Sequence, residues 1–211
     1  MDLLAGYRPG NECSDGFVSA NILVLPGSLR LASHNRKLAA EATRMLALSD
    51  AVVTRLDLAD YPLPLYDGDH EQDNGIPENA VLLAHRIAVQ DGLLLVSPEY
   101  NHSIPAVLKN AIDWASRVRK VQGRPVQPFK GLVVGLASAS PGRYGGARGL
   151  EALRLVMRAL GAEVLTQQCS VADAANGFDE NGRLSDDIAR TSLESLVDKL
   201  LDTSRSLSRR G

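Results

Sequence analysis

The 211-residue chain is short of several things, and each shortage removes a class of function. Its two cysteines, Cys13 and Cys169, stand far apart with no CxxC or Cys/His spacing, which argues against a disulfide framework and against a zinc site. No metal is expected. No apolar run approaches the roughly 20 residues of a membrane span, and the first residues lack the basic start and apolar core of a secretory signal. The expectation is therefore no membrane partner and a cytoplasmic location. A net charge of -2 offers no excess of basic charge for nucleic acid. No GxGxxG follows the first strand-like run and no GxxxxGK[ST] occurs, which disfavours a dinucleotide pyrophosphate fold and a nucleotide triphosphatase. Aromatic residues make up only 4%, so those that fall in loops attract attention. A small molecule is the expected partner.

What is present is a strand-helix alternation. Residues 1–20 and 204–211 show no periodicity and read as flexible ends of a single domain over 21–203. "NILVLP" is a short continuous apolar run, followed from Asn35 to about Ala47 by Leu38, Ala39, Ala42, Met45 and Leu46 at helical spacing. "AVVTRLDL" reads as a second strand, the Pro-rich "YPLPLYDGDHEQDNG" as a loop, and Pro77 as the opening of a helix. "GLLLV" and "GLVVGLAS" are strands three and four, each followed by a helical stripe, and "AEVL" is a short fifth. Ser185, Asp186 and Asp187 then cap a last helix. Five alternations imply an open α/β parallel sheet covered on both faces, with a ligand at the carboxyl ends of its strands.

Three loops at those ends are chemically unusual. In "GSLRLASHN", Gly27 permits a sharp turn, while Ser28, Ser33 and Asn35 bring donors to a helix start, where unsatisfied N–H groups favour an anion. Arg30 adds a forked cation suited to a phosphate monoester. The plainer reading is that Ser33 or His34 caps the helix and Ser28 shapes the turn. In "SPEYN", Pro98 stiffens the strand exit and leaves amides free for the edge of a flat heterocycle, Asn101 adds a side-chain amide, and Tyr100 offers a ring. Alternatively Tyr100 packs on the core and Glu99 is solvated. His102 is more simply an exposed loop residue than a proton carrier, and Trp114 belongs to a helix core. "SASPGRYGGARG" brings small residues close to any flat ligand, with Arg143 and Arg148 facing a phosphate or only solvent. Asp57, without the glycines of a dinucleotide fold, reads as a surface residue.

Taken in order, "GSLRLASHN", "SPEYNHSIPAVLKNAIDW" and the "GGARG" helix entry resemble the NADPH-dependent FMN reductase family, over roughly Ile22 to Leu165. The resemblance implies a flavodoxin-like three-layer sandwich with a five-stranded parallel sheet in the order 2-1-3-4-5. It implies that Ser28, Arg30, Ser33 and Asn35 hold the FMN phosphate. Pro98, Glu99, Tyr100 and Asn101 would line the ring edge, with Ser140 near the ring from the third loop. NADPH or NADH would donate hydride to the flavin N5 and a small acceptor would then take two electrons, in ping-pong order and without a catalytic side chain. Arg36, Arg143 and Arg148 stand equal as partners for an NADPH 2′-phosphate. A homodimer or homotetramer is implied as well. The alternatives are a flavodoxin-like electron carrier that does not oxidise NAD(P)H, and a flavin-free domain that kept the architecture.

Overall fold

The structure is a computed structural model that describes residues 19–208. Most of the expected N-terminal extension, and residues 209–211, lie outside the described residues. Five parallel strands form the sheet in the order β2-β1-β3-β6-β7, the order the resemblance implied. They are β1 (Asn21–Pro26), β2 (Val52–Arg55), β3 (Gly92–Val96), β6 (Val133–Ala139) and β7 (Glu163–Val171). Strands β4 (Lys120–Val121) and β5 (Arg124–Pro125) form a separate antiparallel hairpin.

Continuous apolar runs make central strands because both of their faces are covered. Ile22 and Val24 of β1, with Leu94 and Val96 of β3, enter one core against α1 (His34–Ala47) and α6 (Asp187–Ser206). Leu23, Leu25, Leu93 and Leu95 enter the opposite core, against α3 (Glu78–Ala88), α4 (Ala106–Arg117) and α5 (Ala147–Ala159). Pro77 and Pro105 immediately precede α3 and α4, and Gly161, at φ 80°, follows the end of α5. Asp186 caps α6, its carboxylate accepting the N–H groups of Ile188 and Ala189 at 3.3 and 3.0 Å. Trp114 is core, as expected, and its Nε1 donates to Pro64 O at 2.8 Å.

Three expectations are corrected. The segment 61–75 is not all loop: Gly68–Asn74 forms α2, capped by Asp67. No residue of α2 is buried, so no apolar stripe marks it in the sequence. It is anchored instead by Glu71, which accepts from Arg117 Nε at 2.9 Å and Tyr66 Oη at 3.0 Å. The fifth strand runs nine residues rather than four. As a sheet edge it exposes Glu163, Thr166 and Gln167, and this polar face hides its length.

The end of the domain also shifts. Helix α6 continues through Ser206, past the boundary at 203. Ser204 is buried, Arg205 donates to Ser49 O at 3.0 Å, and Ser208 donates to Asp91 Oδ1 at 3.0 Å. At the other end Ala20 is buried and Ser19 donates to Asp50 O at 2.6 Å, so neither belongs to an extension. Ending the chain after Thr203 should therefore lower unfolding stability by roughly 1–3 kcal/mol in urea titration, the scale of the lost buried polar contacts. An unchanged midpoint would return the boundary to 203.

Candidate functional site

The chain leaves β1 toward β2 on one side and returns to β3 on the other, so a crevice opens at the carboxyl ends of β1 and β3. Main-chain bonds hold this region together: Gly27 N–H donates to Val96 O at 2.9 Å and Ser97 N–H to Ala137 O at 2.9 Å. The loops after β1, β3 and β6 are thereby neighbours.

In the first loop Ser33 is the N-cap of α1, its Oγ accepting from Asn35 N–H at 3.2 Å. Ser28 Oγ accepts from Arg30 N–H at 3.3 Å. Both serines are buried, while Arg30 is exposed and in no ion pair among the described residues. The N–H groups of Leu31, Ala32 and His34 have no acceptor among the described residues. Burial, then Lys37, then Arg30 lower the pKa of His34 below the usual histidine value. Protonation is thus disfavoured in the fold. Its contribution to stability is in place above the unfolded-state pKa and is lost as pH falls through the lower folded value. Orphaned donors, two serines and clustered cations fit a phosphate.

Asn35 links the first loop to the third. Its Nδ2 donates to Ala139 O at 2.8 Å and its Oδ1 accepts from Ala139 N–H at 2.9 Å. The side chain thus braces the first loop against the third, and the second N–H of its Nδ2 remains available as a donor.

The second loop is a tight turn. Tyr100 N–H donates to Ser103 O at 3.1 Å and Ser103 N–H to Tyr100 O at 3.0 Å, with Asn101 and His102 at φ 52° and 61°. Two successive left-handed residues make a type I′-like connection, a conformation for which Asn and His are both enriched among non-glycine residues. Tyr100 N–H is therefore spent inside the turn, and the amides of Glu99, Asn101 and His102 have no acceptor among the described residues. Pro98 is buried, and the ring of Tyr100 is exposed. Glu99 is half-buried, and its Oε2 accepts from Gly149 N–H at 2.9 Å. This ties the second loop to the start of α5.

In the third loop Ser140 N–H donates to Val171 O at 3.0 Å, and its Oγ accepts from Gly142 N–H at 3.2 Å. The glycines serve packing. A Cβ at Gly146, which has φ 85°, would lie 1.9 Å from Ser138 Oγ, and one at Gly149 would lie 3.1 Å from Glu99 Cβ. Asp57 is also more than a surface residue. It caps a short 3-10 turn, Leu58–Asp60, and pairs with Arg36. Tyr144, not singled out from the sequence, carries Arg143 and Arg148 on its ring; its only signal is an aromatic set between two arginines in "GRYGGAR".

A family model described as NADPH-dependent FMN reductase matches residues 20–176. The chain belongs to the NADPH-dependent FMN reductase family. It is an oxidoreductase, with FMN as cofactor and a nicotinamide nucleotide as donor. The family match extends beyond the segment on which the resemblance was drawn, into the whole of β7. A quinone reductase of Escherichia coli is 39% identical over 146 residues, 69% of this chain and 73% of that protein. An NAD(P)H-dependent FMN reductase of Pseudomonas aeruginosa is 36% identical over 181 residues, 85% of this chain and 92% of that protein. Among solved structures, the flavoenzyme NAD(P)H:acceptor oxidoreductase FerB of Paracoccus denitrificans superposes with a TM-score of 0.71 at 29% identity, covering 89% of this chain and 98% of its own.

Because Asn35 satisfies both main-chain groups of Ala139, Asn35→Ala should cost roughly 2–4 kcal/mol of stability, two buried groups being left unpaired. Urea unfolding with unchanged stability would remove the brace.

Proposed function

We propose that the chain is a two-electron reductase of quinone-class small acceptors, working in ping-pong order with FMN seated in the crevice between β1 and β3. One observation carries the reading: a phosphate-type loop, a turn with free amides and a glycine-rich helix entry converge at the sheet's switch point, joined by Asn35 to Ala139 and Glu99 to Gly149.

In this reading the phosphate is held by the N–H groups of the Leu31–His34 stretch, by the hydroxyls of Ser28 and Ser33, and by Arg30. A helix N-terminus adds favourable dipole to those donors. FMN, when bound, supplies the redox chemistry: hydride in from NAD(P)H, two electrons out to the acceptor. The N–H groups of Glu99 and Asn101 serve its polar ring edge, where donors fixed before reaction favour negative charge without reorganising. Tyr100 gives the ring a packing surface, and Pro98 and Ser140 hold the two loops that border it. Asn35 acts one step back, by keeping the first and third loops in register. No side chain of the protein need accept or release a proton.

A homodimer or homotetramer is part of the proposal, supported by exposed Leu29 and Leu31, the latter at 87%, beside the phosphate loop. A cleft of about 250 Å³ next to Leu29, walled by Leu58, Tyr61, Leu63 and Val107, extends this apolar surface. It contains no cation, so it does not suit the FMN phosphate. A cytoplasmic address is part of the same proposal; among the described residues no helix is long and apolar enough to cross a membrane.

The test is an anaerobic visible spectrum of the FMN-supplemented protein during titration with NADPH and, separately, NADH. Full bleaching by two electrons per flavin is expected, and bound flavin that neither nucleotide reduces would favour an electron carrier. In the same assay Arg30→Ala should weaken FMN binding about tenfold or more, the scale of one charge-assisted contact to phosphate.

A further inference from the structure

Three cationic or potentially cationic side chains gather at one edge of the crevice around a single aromatic ring. The guanidinium carbons of Arg143 and Arg148 lie 4.6 and 4.2 Å from the centroid of Tyr144. Arg143 also donates to the Tyr144 hydroxyl. Arg148 Nη1 lies 3.1 Å from His102 Nε2. All four side chains are exposed.

Neither arginine has a carboxylate partner among the described residues. The carboxylate of the adjoining loop, Glu99, accepts instead from Gly149 N–H through Oε2. Two like charges held on one ring without a counterion repel each other, and an incoming oxyanion reverses the sign of that interaction. Contact with the Tyr144 ring also restrains both guanidinium groups, so less rotamer entropy is lost when they close on oxygen. Location adds the remaining point. Arg148 precedes the glycine that binds Glu99, and His102 follows Asn101, so the group borders the loop assigned to the flavin's edge. The sequence left Arg36, Arg143 and Arg148 equal as phosphate partners, and the structure separates them, because Arg36 is paired with Asp57.

We propose that Arg148 and Arg143, ordered by Tyr144 and His102, form a subsite that recognises an oxyanion carried by a substrate of the reductase. Two substrates bring such a group: NADPH, as its 2′-phosphate, and an anionic acceptor, as a sulfonate or carboxylate. The inference rests on the reductase reading and names what that site selects.

The experiment uses the full chain loaded with FMN, as wild type, Arg148→Gln, Arg148→Lys and the Arg143→Gln/Arg148→Gln pair. Calorimetric titration with adenosine 2′,5′-bisphosphate and with 5′-AMP isolates the 2′-phosphate. Steady-state rates give two ratios of kcat/KM: NADPH over NADH, and a sulfonated over an unsulfonated naphthoquinone. If the donor brings the oxyanion, the bisphosphate binds wild type about tenfold or more tighter than 5′-AMP, and the glutamine variants lose that preference. The NADPH over NADH ratio then falls by a similar factor, mainly through KM, and Arg148→Lys retains part of it because charge persists without the fork. If the acceptor brings it, the nucleotide ratios hold and the naphthoquinone ratio falls instead. Both ratios unchanged in the double variant, with FMN bound and NADH still oxidised, would overturn the subsite. Wild-type protein that binds no FMN would overturn the reductase reading, and the subsite with it.

Discussion

Asn35 reaches across 104 residues of sequence to engage both main-chain polar groups of Ala139. A parallel sheet sets the spacing of its strands, but it does not set the geometry of the loops that leave them. Here the loop after β1 is locked to the end of β6 by a side chain that cannot be replaced without stranding a buried N–H and a buried C=O. A second tie, Glu99 to Gly149, locks the loop after β3 to α5. The three walls of the crevice are therefore tied to one another, and a ligand meets donors that are already placed. That preorganisation is what a cofactor-driven reaction asks of its protein, since the chain contributes position and electrostatics while the flavin contributes electrons.

The layered architecture was legible because burial on both faces leaves a simple trace. The runs in β1 and β3 are apolar without interruption, and their residues divide alternately between the two cores. The elements that escaped detection are those held by polar contacts. Helix α2 buries nothing and is fastened through Glu71, and the hairpin Lys120–Val121 with Arg124–Pro125 is too short to show periodicity. The outer half of β7 alternates into solvent, and "TQQ" reads as loop when the partner strand is not known.

The candidate site divides in the same way. Residue types at the phosphate loop were readable, because serines, an arginine and a helix start in nine residues point to one chemistry. What each side chain touches was not. Asn35 looked like a donor to ligand and is also a brace; Asp57 looked idle and holds Arg36; Tyr100 looked open and has its N–H closed within a turn. Each of these depends on a partner more than twenty residues away or on a backbone conformation, neither of which a local motif specifies. The same partners redistribute charge. With Arg36 paired to Asp57, the cations near the crevice with no ion pair among the described residues are Arg30 and Lys37 at the phosphate loop and Arg143 with Arg148 at the third loop. The site thus has two separate positive regions, one assigned to the cofactor and one to what the cofactor reacts with.

The central claim is that all three loops grip one flavin. Hydrogen-deuterium exchange, comparing the protein with and without saturating FMN, tests it most directly because it reports on backbone amides whether or not turnover occurs. The account predicts slowed exchange in residues 28–35, at Glu99 and Asn101, and in residues 139–149, with the apolar cleft beside Tyr61 and Val107 unchanged. Protection confined to that cleft, or absent from the first loop, would contradict it.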